Sequence, residues 1–433
     1  MKEEKTLLKG ALILSVGSVF VKLIGAFYRV PLTNLIGPSA LGIYQMVFPF
    51  YSILLTFSST GVPNALSKLI AEGKNPKKVL YKSIKCFSLI GFVGTLFMLL
   101  LCKPISRLQG NSDAFLSFIA LSPSVFIVSI ISCYRGYFQG LSDMLPTTLS
   151  QIIEQVIKLI VALTVLSFVK GSAMLLASIC CLAVTVSEFL SLGYIYIRYK
   201  RQNIKSSGDG IRLSEIVKTV FPIALSSILI PLARTVDSFL VINLLPLETE
   251  IATAQYGIYS GGVESLIGVP VAVCYGLAVS GIPQIAKNKS NHKLKVKLIL
   301  YTLLLSTLSM LAVFFFSKTA VNILYSKLNE KESALMVNLL KISSIQIVLL
   351  SILQTLNSIL VSVGAQFVPP LSLGVGVAVK ILTVILLVPK LSFGIYGLAI
   401  SDITCFLVAT IFNLLYIIKV RNFVSYKKIV QKV

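Results

Sequence analysis

Apolar residues along this chain run in long stretches separated by short polar intervals, with little of the period-two alternation that marks half-buried strands. Runs of about 20 mostly apolar residues, enough to cross roughly 30 Å of hydrocarbon as helices, occupy 9–30, 40–66, 83–102, 115–141, 146–168, 172–197, 214–245, 255–283, 296–317, 335–362, 367–388 and 394–418. Lipid offers no hydrogen-bond partner to the backbone, so only helices or closed barrels cross it, and these runs are too long and too uniform for barrel strands. The pattern predicts an all-α polytopic membrane protein of about 12 transmembrane helices.

The longest polar interval on one side, Tyr199 to Arg212, is rich in Ser, Gly and charge and reads as a linker. It divides the chain into an N-terminal six-helix lobe (1–198), a linker (199–213) and a C-terminal six-helix lobe (214–433). The two parts repeat each other in order. Gly42-Ile43-Tyr44 opens the second span and Gly257-Ile258-Tyr259 the eighth, while Gly61-Val62-Pro63 and Gly281-Ile282-Pro283 close the same two spans. Pro146 and Lys158 are matched by Pro369 and Lys380 at nearly the same separation. A third Gly-Ile-Tyr at 394–396 shows that the tripeptide alone recurs by chance, so the ordered series carries the reading. An even number of spans per repeat gives both repeats one orientation, related by a pseudo-two-fold axis along the membrane normal. Pro49, Pro63, Pro123, Pro222, Pro231, Pro270 and Gly268 lie inside spans, where they either supply kinks for a rocking motion or reflect the general frequency of Pro and Gly in membrane helices.

Composition agrees: of 433 residues 56% are hydrophobic and 13% charged. The formal net charge of +23 would suggest nucleic acid as partner in a soluble chain. Here position decides. One set of connections holds 25 Lys and Arg and the opposite set 8, which places the first set, and both termini, in the cytoplasm. Most of the excess charge is thus topology, and no nucleic-acid partner is expected. The basic start and apolar first run resemble a signal peptide, but the run continues through Lys22 to Arg29 without a small-residue cleavage site, so an uncleaved span of a plasma-membrane protein is expected.

Eleven ionisable residues fall inside spans: Lys22, Arg29, Arg135, Lys158, Arg234, Lys380, Glu154, Glu188, Asp237, Glu264 and Asp402. Each costs about 2.5–3.5 kcal/mol at the bilayer centre and should face the protein interior or a wet cavity. Glu154 and Lys158 are four apart, and Arg234 and Asp237 three apart, close enough to pair in cis; such pairs either neutralise each other or serve a substrate. Arg29 and Arg135, near span ends, are placed to snorkel. Lys22 has no acid within a turn. Arg234 lies at comparable depth in the seventh span, the repeat partner of the first, so two cations from equivalent helices would face a central cavity. That favours an anionic substrate, phosphate groups being the commonest anions that Lys and Arg hold together. A cation antiporter would be expected to carry an acid in the first span, and this one has none.

The single histidine, His292, excludes an HExxH zinc site, and the seven cysteines contain no CxxC pair. No GxxxxGK loop followed by Ser or Thr is present. No cofactor is therefore expected, and the driving force would be an ion gradient or the membrane potential. Short external loops and the lack of Asp-x-Asp or GxSxG argue against an enzyme.

The segment Lys22 to Gly73, with YRVPLTNLIG at Tyr28 to Gly37, LGIYQ at Leu41 to Gln45 and GVPNALSKL at Gly61 to Leu69, together with SQIIEQVIK at Ser150 to Lys158, resembles the stage V sporulation protein B group of the multidrug/oligosaccharidyl-lipid/polysaccharide exporter superfamily. Weaker similarity runs through RTVDSFLV at Arg234 to Val241. The resemblance implies a two-lobed flippase that moves a polyprenyl-diphosphate-linked saccharide or peptidoglycan precursor from the inner to the outer leaflet, in envelope or spore-cortex synthesis. It implies a cationic cavity in which Lys22, Arg29 and Arg234 bind the diphosphate. Asp237, Glu264, Asp402, Glu154 and Lys158 are the candidate ion-coupling or cavity residues, and a monomer in the bilayer, coupled to a monovalent cation or the membrane potential, is expected. Members of the group usually carry two more C-terminal helices, whereas this sequence ends after its twelfth span with KKIVQKV, which leaves the route of the lipid tail open. A multidrug cation antiporter on the same fold and a polytopic glycosyl- or phosphotransferase are the competing readings.

Overall fold

A computed structural model describes residues 2–56, 61–202, 210–287 and 292–430. Among these residues fifteen α-helices follow in order: α1 Lys2–Thr56, α2 Val62–Ala71, α3 Pro76–Leu108, α4 Phe115–Gly140, α5 Leu145–Phe168, α6 Ala173–Lys200, α7 Leu213–Ser227, α8 Leu229–Leu244, α9 Thr249–Tyr256, α10 Glu264–Lys287, α11 His292–Leu324, α12 Glu330–Ser343, α13 Ile345–Val363, α14 Val368–Leu387 and α15 Ile395–Val430. A π-helical stretch, Gly257–Val263, joins α9 to α10. No strand occurs among the described residues. Nine helices there are long and apolar enough to cross a membrane. The expected spans fall on helices, apart from 57–60, which lie outside the described residues.

Where spans and helices differ, the cause is local. The first two spans form one helix broken at Gly37, whose φ of 75° and ψ of 170° only glycine adopts without strain. The seventh span is split into α7 and α8 at Ile228. Pro231 has no N–H to give the Ser227 carbonyl and its ring crowds that group, so the helix opens there. Asn75 caps α3 by accepting from the Lys78 N–H at 3.1 Å, with Pro76 at the first helical position.

Two compact units are formed, Met1–Gly262 with Leu324–Glu332, and Val263–Ile323 with Ser333–Val433. In the first, α4 packs against α3 and α6, and α1 against α5, α6, α8 and α9. Close approach rests on small residues, as is usual where no hydrophobic drive separates helix from lipid: a Cβ on Gly136 would lie 2.9 Å from Pro63 Cα. An apolar cluster that includes Leu66, Phe87, Tyr137, Phe138, Ile195 and Ile216 fills one end. The residues around the expected linker are anchored there, Lys82 Nζ donating to the Ile211 carbonyl at 2.6 Å and Lys74 pairing with Glu215 at 3.5 Å; residues 203–209 lie outside the described residues. In the second unit α10 packs on α13, and α14 and α13 on α15.

Candidate transport site

Within the first unit, four helices bring ionisable side chains together. Arg135 of α4 is 4% exposed and gives Nε to Ser150 Oγ at 2.9 Å and Nη2 to Glu154 Oε2 of α5 at 3.1 Å. Lys158, one turn further along α5, donates to Gln155 Oε1 at 2.5 Å and stands 5.4 Å from the centre of the Tyr28 ring on α1. Two expectations are corrected here. Glu154 pairs across helices with Arg135, not in cis with Lys158, and Arg135 does not snorkel. The reason is the tight hairpin between α4 and α5, which turns the Arg135 face of α4 toward Ser150 and Glu154 rather than toward lipid. Glu188 of α6 completes the group, accepting a hydrogen bond from the Tyr51 hydroxyl of α1. Sequence reasoning did not single out this pair; the one available signal was an in-span acid with no cation within a helical turn.

The candidate substrate cations lie on α1 and α8, which pack together. Arg29 is half-buried and Arg234 exposed. Lys22 is on α1, and its side chain lies outside the described residues. Asp237, one turn along α8 from Arg234, is buried. In the second unit Glu264, half-buried, begins α10. Asp402 of α15 is buried and accepts from Lys380 Nζ of α14 at 2.5 Å, an ion pair the in-helix spacing did not foresee. Among the described residues no His, Cys, Asp and Glu group is arranged to hold a metal, and the seven cysteines are free thiols.

A second assembly in the first unit joins the sequence repeats directly. Gly42 and Gly257 occupy matching places in the two Gly-Ile-Tyr motifs, and they touch: a Cβ on Gly257 would lie 2.5 Å from Gly42 N and 2.4 Å from the Pro38 carbonyl. Three residues on, Gln45 Nε2 donates to the carbonyl of its own counterpart, Ser260, at 2.9 Å. Contact between equivalent residues is what a two-fold axis produces. Around it, Gln109 Nε2 donates to the Met46 carbonyl and to Ser238 Oγ, each at 2.9 Å, and Asn111 Nδ2 to Thr253 Oγ1 at 3.0 Å. Asn243 Nδ2 reaches the Leu108 carbonyl at 2.8 Å. Gln109 and Asn111 follow the C-terminal end of α3, the end opposite to the one that carries Lys74, Lys77, Lys78, Lys82 and Lys85.

Residues 7–274 match the family described as polysaccharide biosynthesis protein. The chain belongs to that family. This polysaccharide biosynthesis family member is 29% identical to the uncharacterized membrane protein YabM of Bacillus subtilis (strain 168) over 94% of its own length and 79% of the relative's. To the stage V sporulation protein B of the same organism it is 26% identical, over 96% and 84%. The fold is that of a lipid II flippase MurJ structure in an inward closed conformation, at a TM-score of 0.78 and 14% identity over 94% of this chain and 87% of the other. The polysaccharide biosynthesis family member is a multi-pass membrane protein with the fold of solved membrane transporters.

Proposed function

We propose that this transporter moves a polyprenyl-diphosphate-linked saccharide or peptidoglycan precursor from the inner to the outer leaflet of the plasma membrane by alternating access. The observation that carries this reading is the seal in which Gly42 meets Gly257 and Gln45 meets Ser260. Matching residues of two repeats that close on each other at one end form a gate, and a gate at the end remote from the Lys-rich loops leaves the cytoplasmic side as the side of entry. Both termini then lie in the cytoplasm. The moving lobes are 1–198 and 214–433, joined by 199–213.

Lys22 and Arg29 on α1 and Arg234 on α8 hold the diphosphate, as a guanidinium binds phosphate oxygens in pairs and a lysine supplies a point charge. An inside-negative potential favours outward movement of an anion by about 2.3 kcal/mol per charge per 100 mV, and returns the emptied cationic site by the same field. The protein works as a monomer under this drive or that of a monovalent cation. The rival reading, a multidrug cation antiporter using Asp237, Glu264 or Asp402, loses one of its acids, because Lys380 already occupies Asp402.

The test is flipping of a fluorescent polyprenyl-diphosphate saccharide in proteoliposomes with an imposed potential. Loss of flipping in the Lys22→Ala, Arg234→Ala double variant, with normal folding, is the expected result. Full activity of that variant would remove the cationic site, and ion-driven efflux of a cationic dye would establish the antiporter.

A further inference from the structure

Glu188 has no role in the diphosphate site, yet among the described residues it is the most deeply buried acid of its unit, at 1% exposure. Its Oε1 accepts from the Tyr51 hydroxyl. Its Oε2 is buried and makes no hydrogen bond of good geometry: Thr185 Oγ1 donates to the Ala120 carbonyl at 2.7 Å, so the neighbouring Ser124 hydroxyl gives its proton to Thr185 Oγ1 at 2.8 Å and not to the carboxylate. No ion pair joins it to Arg135, which binds Ser150 and Glu154, or to Lys158, which binds Gln155. The groups that face Glu188 are thus Tyr44 and Tyr51 from α1, Ser124 and Arg135 from α4, and Glu154 and Lys158 from α5.

An ionised carboxylate in such a place, with one acceptor oxygen unsatisfied, is held at a substantial desolvation cost that a single neutral hydrogen bond does not offset. A proton on Oε2 removes that cost. It converts the orphan acceptor into a donor, and the lone pairs of Ser124 Oγ are the acceptor within reach; Tyr51 continues to donate to Oε1. Buried Arg135, Lys158 and Glu188 and half-buried Glu154 are neutral as a set when all are ionised and carry +1 when Glu188 alone is protonated. The site therefore has two states of different charge.

We infer that Glu188 is a proton-binding site whose loading is sensed through Tyr51 by the second half of α1. That half also carries Gly42 and Gln45 of the seal, so the same helix links the proton to the gate. The inference deepens the transporter reading and rests on it only for this last link, since proton binding itself is measured without any cargo.

Infrared difference spectra of the full-length protein in nanodiscs, taken between mildly alkaline and mildly acidic pH, should contain a carboxylic C=O band that vanishes in Glu188→Gln and shifts in Tyr51→Phe. A spectrum unchanged by either variant overturns the proposal. Should Glu188→Gln not fold, the Tyr51→Phe shift decides alone. Replacing choline with sodium at fixed pH should leave the band in place, and its loss in sodium would overturn the proposal in favour of a metal cation. A thiol reporter in the seal, Ser238→Cys, should label at a rate that, divided by that of an exposed reference thiol at the same pH, changes severalfold with pH in the otherwise unchanged protein and not in Glu188→Gln; the same normalised pH dependence in both would break the link to the gate. A normal infrared result beside absent lipid flipping would fault the cargo and spare the proton site.

Discussion

The seal makes a quantitative prediction at Gly42. A Cβ there would lie 2.0 Å from the Thr253 carbonyl oxygen and 2.7 Å from Thr253 Cγ2. Van der Waals contact needs about 3.5 Å, so Gly42→Ala forces α1 and α9 apart by roughly 1.5 Å. Overpacking of this kind costs about 1–3 kcal/mol, which is about a 5- to 150-fold change in an equilibrium. In the alternating-access reading the cost falls on the sealed state, in which Thr253 stands against position 42. The gain in helix propensity from Gly to Ala, up to about 1 kcal/mol, applies to both states and does not bias the gate. Ser238, fully buried and bonded to Gln109 in the same assembly, is the reporter. In right-side-out vesicles, Ser238→Cys should react with an impermeant maleimide at least about fivefold faster when Gly42→Ala is added, by the same arithmetic. Gly257→Ala should act in the same direction, since its Cβ would strike Gly42 and Pro38. Unchanged labelling in both variants, with thermal unfolding showing a folded protein, would refute the account of the seal.

Removing Arg135 leaves Glu154 unpaired in a largely buried position, so Arg135→Met should lower stability by about 3–5 kcal/mol in thermal unfolding, and Arg135→Met with Glu154→Leu by clearly less. The same logic applies to Lys380 and Asp402, 2.5 Å apart and buried: Lys380→Met alone should cost about 3–5 kcal/mol and the double variant Lys380→Met, Asp402→Leu much less. Equal losses in single and double variants would show that the pair is not a unit. For topology, a C-terminal fluorescent protein should fluoresce and a C-terminal alkaline phosphatase should stay inactive; the reverse would invert the proposed orientation.

The spans were readable because length and hydropathy are properties of contiguous sequence, and the bilayer penalises any exposed backbone polar group wherever it occurs. The break at Gly37 and the opening near Pro231 also have local causes, in a positive φ and a missing N–H. Pairing of charges was not readable in the same way. Spacing along one helix offered Lys158 to Glu154, while the folded chain gave Glu154 to Arg135, Asp402 to Lys380 and Glu188 to Tyr51. Each of these joins two helices, and a single sequence carries no record of which helix faces are turned together.

By itself, then, the sequence determined a helical membrane protein, its duplicated Gly-Ile-Tyr motif and the inventory of buried charge, since these follow from local composition and order. The tertiary structure alone decided that Gly42 and Gly257 lie in contact and that Glu188 keeps an oxygen without a partner. Packing selects among the many pairings that local chemistry permits, and it does so through steric fit between segments about 200 residues apart, over which helical periodicity carries no information.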